Sequence, residues 1–519
     1  MCNQLRIFIA SSLASHTCTA YRLASVSTIV IFQHSFSMKH YRQLLALVFA
    51  FALFFFFLLV NPFTLDAKAT KVAAVAIFMI TLWITEALPM PVVALFPLVL
   101  FPLMGIAKID DAAAPYANPM IFLFMGGFMI GLAIEKWNLH KRIALNIVSL
   151  TGTDGNRIVL GFILATGFMS MWLSNTATTM MMYPIAMSVI HVMEKNSSAK
   201  GNYNNLSVCL LLAIAYASNF GGIATIIGTP PNVAYVAFLE KSKGYSFNFS
   251  DWMKLCMPIS LILLFALYFV MTKWLYPTKI ISDGSAKEMI RSEVRQLGKL
   301  SSPEKRVLFV FALTALLWIT RDIINKNQPW FKLDDSMIAV LGAILLFIIP
   351  SNSKVPETKN LLEWSDTSKM AWGILLLFGG GISLANQLEK AGLIESLGNW
   401  IASFATGGIL LVFVVAVVSI FISEVMSNVA QVIVFAPVIT GVADALKIDP
   451  LQIGIAMTLG ASCASMLPMG TPPNAIVFAS GRLKLKHMTT TGFVMNIISA
   501  ILITIFCWYL LPHLVKAIQ

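Results

Sequence analysis

The chain has 519 residues, of which 58% are hydrophobic and 12% charged, and it carries a formal net charge of +12. Soluble proteins average about 45–50% apolar and about 25% charged residues, so a water-facing globular fold is excluded. The positive balance would suit nucleic acid or an anionic partner, but its placement along the chain assigns most of it to membrane orientation, and no nucleic-acid partner is expected.

Residues 1–42 read as an N-terminal extension. Residues 1–37 mix Ser, Thr, Cys and His with short apolar pieces, whereas Met38-Lys39-His40-Tyr41-Arg42 resembles a natural start. Residues 1–37 are therefore expected to be weakly ordered or absent from the mature protein; a signal peptide would need a small-residue cleavage site before Met38. A first transmembrane helix lies within 43–68, near 43–60. Further spanning helices are predicted near 70–87, 90–107, 117–135, 205–227, 251–276, 305–320, 336–350, 370–388, 449–468 and 491–512. Runs of this length match a hydrocarbon core of roughly 30 Å at about 1.5 Å per helical residue, and they do not alternate as barrel strands do. Two longer apolar stretches, 157–193 and 407–445, are each interrupted midway by a polar cluster, which predicts re-entrant hairpins. The fold class is thus an all-α polytopic membrane protein with eleven transmembrane helices and two hairpins.

With the N-terminus inside, the cytoplasmic loops hold the denser Lys and Arg clusters: Lys136, Lys141, Arg142 and Arg157, the stretch from Lys279 to Arg306, and Arg482, Lys484 and Lys486. The loops on the other side are poorer, so the positive-inside rule supports this orientation and places the C-terminus outside. Of the six cysteines, Cys2 and Cys18 lie in the extension and Cys209, Cys256, Cys463 and Cys507 in apolar runs, with no metal or disulfide spacing.

Comparison of the chain with itself reveals a repeat. Ser170-Met171-Trp172-Leu173-Ser174-Asn175 returns 253 residues later as Ser423-Glu424-Val425-Met426-Ser427-Asn428, with Gly126-Gly127 falling on Gly379-Gly380 and Pro184 on Pro437. Gly228-Thr229-Pro230-Pro231-Asn232 returns identically as Gly470-Thr471-Pro472-Pro473-Asn474. The first unit occupies 69–276, a basic cytoplasmic linker 277–304, and the second unit about 305–512 within the segment 305–519. Five crossings per unit place the second copy upside down, and inverted repeats with broken helices mark secondary transporters.

The residue types suit ions. Two prolines after a glycine unwind a helix, because proline lacks an N–H and restricts the residue before it. The freed carbonyls around 227–229 and 470–471 suit a hard cation, and the restarting helix end suits an anion. If Ser170 and Ser174 sit one helical turn apart, both hydroxyls point at one ion. Asn175 adds an amide oxygen for that ion and an N–H for a carboxylate, as do the hydroxyls of Thr176, Thr229 and Thr471. The pattern implies two cation sites flanking one anion site without buried Lys or Arg. Pro-Pro pairs can simply kink helices and Ser or Asn can glue them together, but duplication of both motifs disfavours that reading. Glu86 and Glu424 are carboxylates at membrane depth, read as caps or ion pairs with proton relay as the alternative. The paired glycines and Met180-Met181-Met182 are read as packing. No hydrolase triad, zinc spacing or Walker-type loop is present, so an enzyme is not expected, nor any cofactor beyond coupling ions.

Ser174-Asn175-Thr176, the paired Gly-Thr-Pro-Pro-Asn sequences and Ile84-Thr85-Glu86-Ala87-Leu88-Pro89 resemble the divalent anion/sodium symporter family of sodium-dependent dicarboxylate, citrate and sulfate carriers, from about residue 43 to the end. The resemblance implies a scaffold and a moving transport domain, elevator-type alternating access, and a homodimer in the plasma membrane (the cell inner membrane if bacterial). It implies Ser170, Ser174, Asn175 and Gly228 at the first sodium, and Ser423, Asn428 and Gly470 at the second. It places Asn175, Thr176, Thr229, Asn428, Thr471 and Pro472 on the substrate. The expected function is sodium-coupled symport of a C4 dicarboxylate such as succinate, malate or fumarate. The alternatives are a sodium-independent exchanger or a sulfate or citrate carrier of the same fold, and, in another class, a channel or membrane enzyme. One departure stands out: where the family has a second Ser-Asn-Thr, this chain has Ser427-Asn428-Val429, one hydroxyl short.

Overall fold

A computed structural model describes residues 41–152, 155–196, 203–245, 247–277, 285–352, 359–404 and 407–518. The expectation for residues 1–37 and part of the basic linker therefore lies outside the described residues. Among these residues the chain is helical throughout. It divides into two compact units, Met1–Val93 and Ala94–Gln519.

In the first unit, α1 (Tyr41–Val60) and α2 (Ala67–Thr85) are followed by the short α3 (Met90–Val93). Asp66 caps α2 by accepting from the Ala69 N–H at 2.7 Å, while Phe78 of α2 meets Phe51 of α1 with ring centroids 4.9 Å apart. Glu86 ends α2 in the left-handed conformation (φ 49°) with its side chain exposed. That is a terminal position, in keeping with a cap.

The second unit begins with α4 (Phe96–Leu103), α5 (Ile109–Ala113), α6 (Pro119–Lys136) and α7 (Leu139–Thr151). It continues with α8 (Gly155–Ser170), α9 (Asn175–Asn196), α10 (Tyr203–Gly222), α11 (Pro230–Lys243) and α12 (Phe249–Phe269). After α13 (Ser285–Gln296) come α14 (Ser302–Asn327), α15 (Asp335–Ile348), α16 (Trp372–Lys390) and α17 (Leu393–Ala402). The chain closes with α18 (Ile409–Ser423), α19 (Asn428–Ala445), α20 (Pro450–Ser462), α21 (Pro472–Phe478), α22 (Leu485–Ile505) and α23 (Leu511–Ile518).

Local chemistry fixes many of the starts. Asn118, Ser301 and Asp449 precede helices with proline in the first turn, each presenting a side-chain oxygen to an otherwise unpaired N–H. Ser301 and Glu304 complete a reciprocal capping box.

Eight helical stretches among the described residues are long and apolar enough to cross a bilayer, and four shorter apolar ones accompany them. The predicted helix at 90–107 is split at Ala94–Leu95, upstream of Pro97, and the interrupted stretches at 157–193 and 407–445 become the pairs α8/α9 and α18/α19. Besides the five-residue α5, the helices α7, α13 and α17, of 13, 12 and 10 residues, were not anticipated. They are short and amphipathic, so hydropathy alone reads them as loops. Just before α7, the end of α6 is held by Lys136–Asp366 at 2.6 Å and Trp137 Nε1 donating to Leu361 O at 2.8 Å. Arg142 then donates to Glu304 at 2.8 Å and to the Leu297 and Gly298 carbonyls.

The repeat is visible in conformation. α8–α12 and α18–α22 follow the same order, and both α12 and α22 end in a π-helical turn, Val270–Leu275 and Phe506–Leu510. The offset falls from 253 residues at the hairpins to 242 at the breaks and 236 at these last helices, because α19, α20 and α21 are shorter than α9, α10 and α11.

The duplicated glycines sit at close crossings. A methyl group on Gly126 of α6 would lie 2.6 Å from the Ala339 backbone of α15, and one on Gly380 of α16 would lie 2.3 Å from the Ala94 carbonyl oxygen. Gly126→Leu is therefore expected to force α6 and α15 apart and destabilise the protein by about 1–3 kcal/mol or more. Thermal unfolding of the detergent-solubilised chain measures this as a lowered Tm.

Candidate functional site

Both hairpins end their first helix on the expected serine. α8 stops at Ser170, Trp172 and Leu173 N–H groups turn back to Met169 O, and α9 begins at Asn175. α18 stops at Ser423, Val425 and Met426 N–H groups turn back to Ile422 O, and α19 begins at Asn428. Across each turn the serine hydroxyl bonds the asparagine amide oxygen, Ser170 Oγ to Asn175 Oδ1 and Ser423 Oγ to Asn428 Oδ1, both at 2.6 Å. Ser423 Oγ also reaches Ala461 O at 2.6 Å. Trp172 braces the first turn, stacking on Phe249 and meeting Phe311 edge-on.

Ser174 differs from expectation. Because α8 ends at Ser170, the two serines do not share a helical turn. Ser174 is exposed, and its hydroxyl accepts from the Ala177 N–H at 3.2 Å, the role of a helix cap.

The two breaks match in detail. Thr229 and Thr471 precede their proline pairs with φ/ψ of −145°/138° and −143°/150°, and both are buried. The asparagine closing each motif turns its amide back on the freed carbonyls. Asn232 Nδ2 donates to Thr225 O at 2.8 Å and Ile223 O at 3.2 Å, and Asn474 Nδ2 donates to Leu467 O at 3.1 Å and Ala464 O at 3.4 Å. The Oδ1 atoms of Asn232 and Asn474 are buried without a hydrogen-bond partner.

Around the first break, oxygens converge. A methyl group on Gly228 would meet Gly222 O at 2.3 Å and Ser170 O at 3.0 Å, and one on Gly222 would meet Asn175 Oδ1 at 2.4 Å and Gly228 O at 3.1 Å. Ser170, Asn175 and Gly228 thus come together, with Gly222 beside them. In the second copy a methyl on Gly470 would lie 2.8 Å from Glu424 Oε2. Ser423, Asn428 and Gly470 lie on the corresponding elements.

A chain of polar side chains joins the copies. Asn175 Nδ2 donates to Asn219 Oδ1 at 3.4 Å, and Asn219 Nδ2 donates to Thr471 Oγ1 at 3.2 Å. Asn219, on α10, was not anticipated; its one sequence signal is an amide in the apolar run that ends at Gly222. Thr176 and Val429, each second in its helix, are half-buried, and Pro472 is exposed at the start of α21.

Comparison with known proteins agrees with this architecture. The family model described as the sodium:sulfate symporter transmembrane region matches residues 38–514. A sodium-dependent dicarboxylate transporter, SdcS, of Staphylococcus saprophyticus is 36% identical over 462 residues, 88% of each chain. The SdcS of Staphylococcus aureus strain USA300 is 37% identical over 473 residues, 90% of each chain. Among solved structures, MtrF of Neisseria gonorrhoeae, described within a class of antimetabolite efflux pumps, aligns with a TM-score of 0.53 at 13% identity, over 79% of this chain and 84% of its own. The YdaH transporter of Alcanivorax borkumensis aligns with a TM-score of 0.55 at 10% identity, over 82% and 99%. The two structural likenesses concern the fold alone.

Since Asn232 and Asn474 make the same bonds, Asn232→Ala and Asn474→Ala should each destabilise the fold by about 1–3 kcal/mol, through buried carbonyls left without a donor. Similar losses of Tm are expected; an unaffected variant would show that its break is held some other way.

Proposed function

Because this chain belongs to the divalent anion/sodium symporter family, we propose that it is a secondary active transporter carrying a C4 dicarboxylate, such as succinate, malate or fumarate, together with sodium. The observation that carries this reading is the side-chain path Ser170–Asn175–Asn219–Thr471, which runs from the first hairpin through α10 into the second break. It gathers neutral oxygens and amide N–H groups from both copies in one place. Such a set holds cations by oxygen and carboxylates by N–H and O–H, and no Lys or Arg among these residues supplies a positive charge for the carboxylates. Sodium then supplies the charge a dicarboxylate needs, which couples the two. The names of the staphylococcal relatives, sodium-dependent dicarboxylate transporters, support the same pairing.

In this reading Ser170, Asn175 and Gly228, with Ser174 at the turn, serve one sodium. Ser423, Asn428 and Gly470 serve the other. Asn175, Thr176, Thr229, Asn428, Thr471 and Pro472 face the substrate. The pairs α8/α9 and α18/α19 are re-entrant hairpins of two inverted repeats, in a protein of eleven crossings with its N-terminus in the cytoplasm. The first repeat spans 69–276 and the second begins at 305. The hairpins and breaks move as a transport domain against a scaffold, elevator fashion, in a homodimer in the plasma membrane (the cell inner membrane if bacterial). Each net positive charge that enters per cycle contributes about 2.3 kcal/mol per 100 mV of membrane potential. The chain is a transporter and not an enzyme.

Uptake of labelled succinate into proteoliposomes tests this. Sodium outside should support uptake that potassium does not, and unlabelled malate or fumarate should compete where sulfate does not. Uptake that ignores sodium but needs internal dicarboxylate would make the protein an exchanger, and absence of succinate transport would move the substrate to sulfate or citrate. Asn219→Ala should lower uptake by roughly tenfold or more, since it removes two hydrogen bonds that join the copies. Val429→Thr restores a hydroxyl worth on the order of 1 kcal/mol and should lower the KM for dicarboxylate about fivefold. An unchanged KM would place residue 429 away from the substrate.

A further inference from the structure

Glu424 lies in the turn of the second hairpin, 3% exposed, within an otherwise neutral polar cluster. Its Oε1 accepts from the Ser465 N–H at 2.8 Å, the Met466 N–H at 2.8 Å and Asn496 Nδ2 at 2.7 Å, and its Oε2 accepts from the Leu467 N–H at 2.9 Å. All four partners are donors, so the geometry fits a carboxylate, with no acceptor in the set for a carboxyl proton. None of the ion pairs among the described residues involves Glu424. A buried carboxylate without a cationic side chain is electrostatically incomplete.

The first copy handles the same place differently. The residue matching Glu424 is Met171, and the link from hairpin to break runs the other way: Thr225 Oγ1 donates to Met171 O at 2.5 Å. The residue matching Thr225 is Leu467, whose N–H is one of those that Glu424 accepts. One copy therefore ties its break with a neutral hydroxyl and the other with a negative charge. That charge touches the break beside Gly470, where a methyl would stand 2.8 Å from Oε2.

We propose that Glu424 is a positioning residue for the second coupling ion. It pins the unwound backbone at 465–467, and its fixed negative charge draws a cation to the Gly470 side of the turn, making the second cation site the tighter of the two. The proposal rests on the sodium-coupled reading above. Glu424 acts through the backbone it holds and through its field, without itself contacting the dicarboxylate.

The test is the sodium dependence of full-length protein in proteoliposomes, paired with the sodium-induced rise in Tm of the detergent-solubilised protein without substrate. Glu424→Gln, nearly isosteric, should raise the half-activating sodium concentration roughly tenfold or more. The succinate KM at saturating sodium should change by less than about twofold, because the substrate donors remain. Glu424→Asp keeps the charge and should lie closer to wild type than Gln. A purely structural role predicts lower uptake at every sodium concentration with an unmoved midpoint, and that result overturns the proposal, as does Asp behaving like Gln. If Glu424→Gln is not recovered folded, Asn496→Ala, which removes the side-chain donor that holds the carboxylate, should shift the sodium midpoint upwards; an unmoved midpoint again overturns it. Wild-type protein that ignores sodium would sink the coupling reading itself, whereas sodium-dependent wild type with an unmoved Gln variant sinks this inference alone.

Discussion

A backbone that leaves its helix inside a bilayer must find partners for the N–H and C=O groups it frees, or turn them onto a cavity. The two Gly-Thr-Pro-Pro-Asn breaks create that demand twice, and much of the local structure answers it. Asn232 and Asn474 reach back to the carbonyls of their own breaks. Thr225 ties the first break to the hairpin beside it, and Glu424 accepts three successive N–H groups of the second. Oxygens gather around the first turn, among them Ser170 O, Gly222 O, Gly228 O and Asn175 Oδ1. The constraint that makes helix breaks rare in membranes is thus the one that, once met, brings neutral oxygens together.

Duplication makes the solution economical, and divergence makes it asymmetric. The serine–asparagine bond across each hairpin turn is the same length in both copies, and the threonines before the prolines share their dihedral angles. What differs is the tie between hairpin and break: a hydroxyl donating onto Met171 O in one, a carboxylate accepting from 465–467 in the other. A neutral tie and a charged tie therefore stand at matching places in the two copies. Val429, where Thr176 stands in the first copy, adds a second asymmetry at the start of the helix after the turn.

Close helix packing holds these turns in register. Gly167 and Gly221 let α8 and α10 meet backbone to backbone, with a methyl on Gly221 falling 2.2 Å from Gly167 O. Such contacts have little room to adjust, so a hairpin and the helix behind it are positioned together. The ion pairs lie elsewhere: Arg142–Glu304 fastens α7, Lys136–Asp366 the end of α6, and Arg482–Glu194 joins the end of α9 to the loop after α21.

By itself the sequence determined the helical membrane class, the interruption of both long apolar stretches, the repeat, and the residue types at each turn. Those features are local: runs of apolar residues, Pro-Pro after Gly, and two short motifs copied in order. The serine–asparagine pairs were legible for the same reason, since their partners stand five residues apart. Tertiary structure decided the rest. Asn219 joins Thr471 across 252 residues, and Glu424 accepts from groups 41 to 72 residues away, separations at which no periodicity carries information. Ser170 and Ser174 do not share a helical turn because that depends on where α8 stops, and α7, α13 and α17 were missed because short amphipathic helices are stabilised by what they pack against. Composition and motif choose the chemistry available to the chain, while long-range packing chooses which of those groups meet.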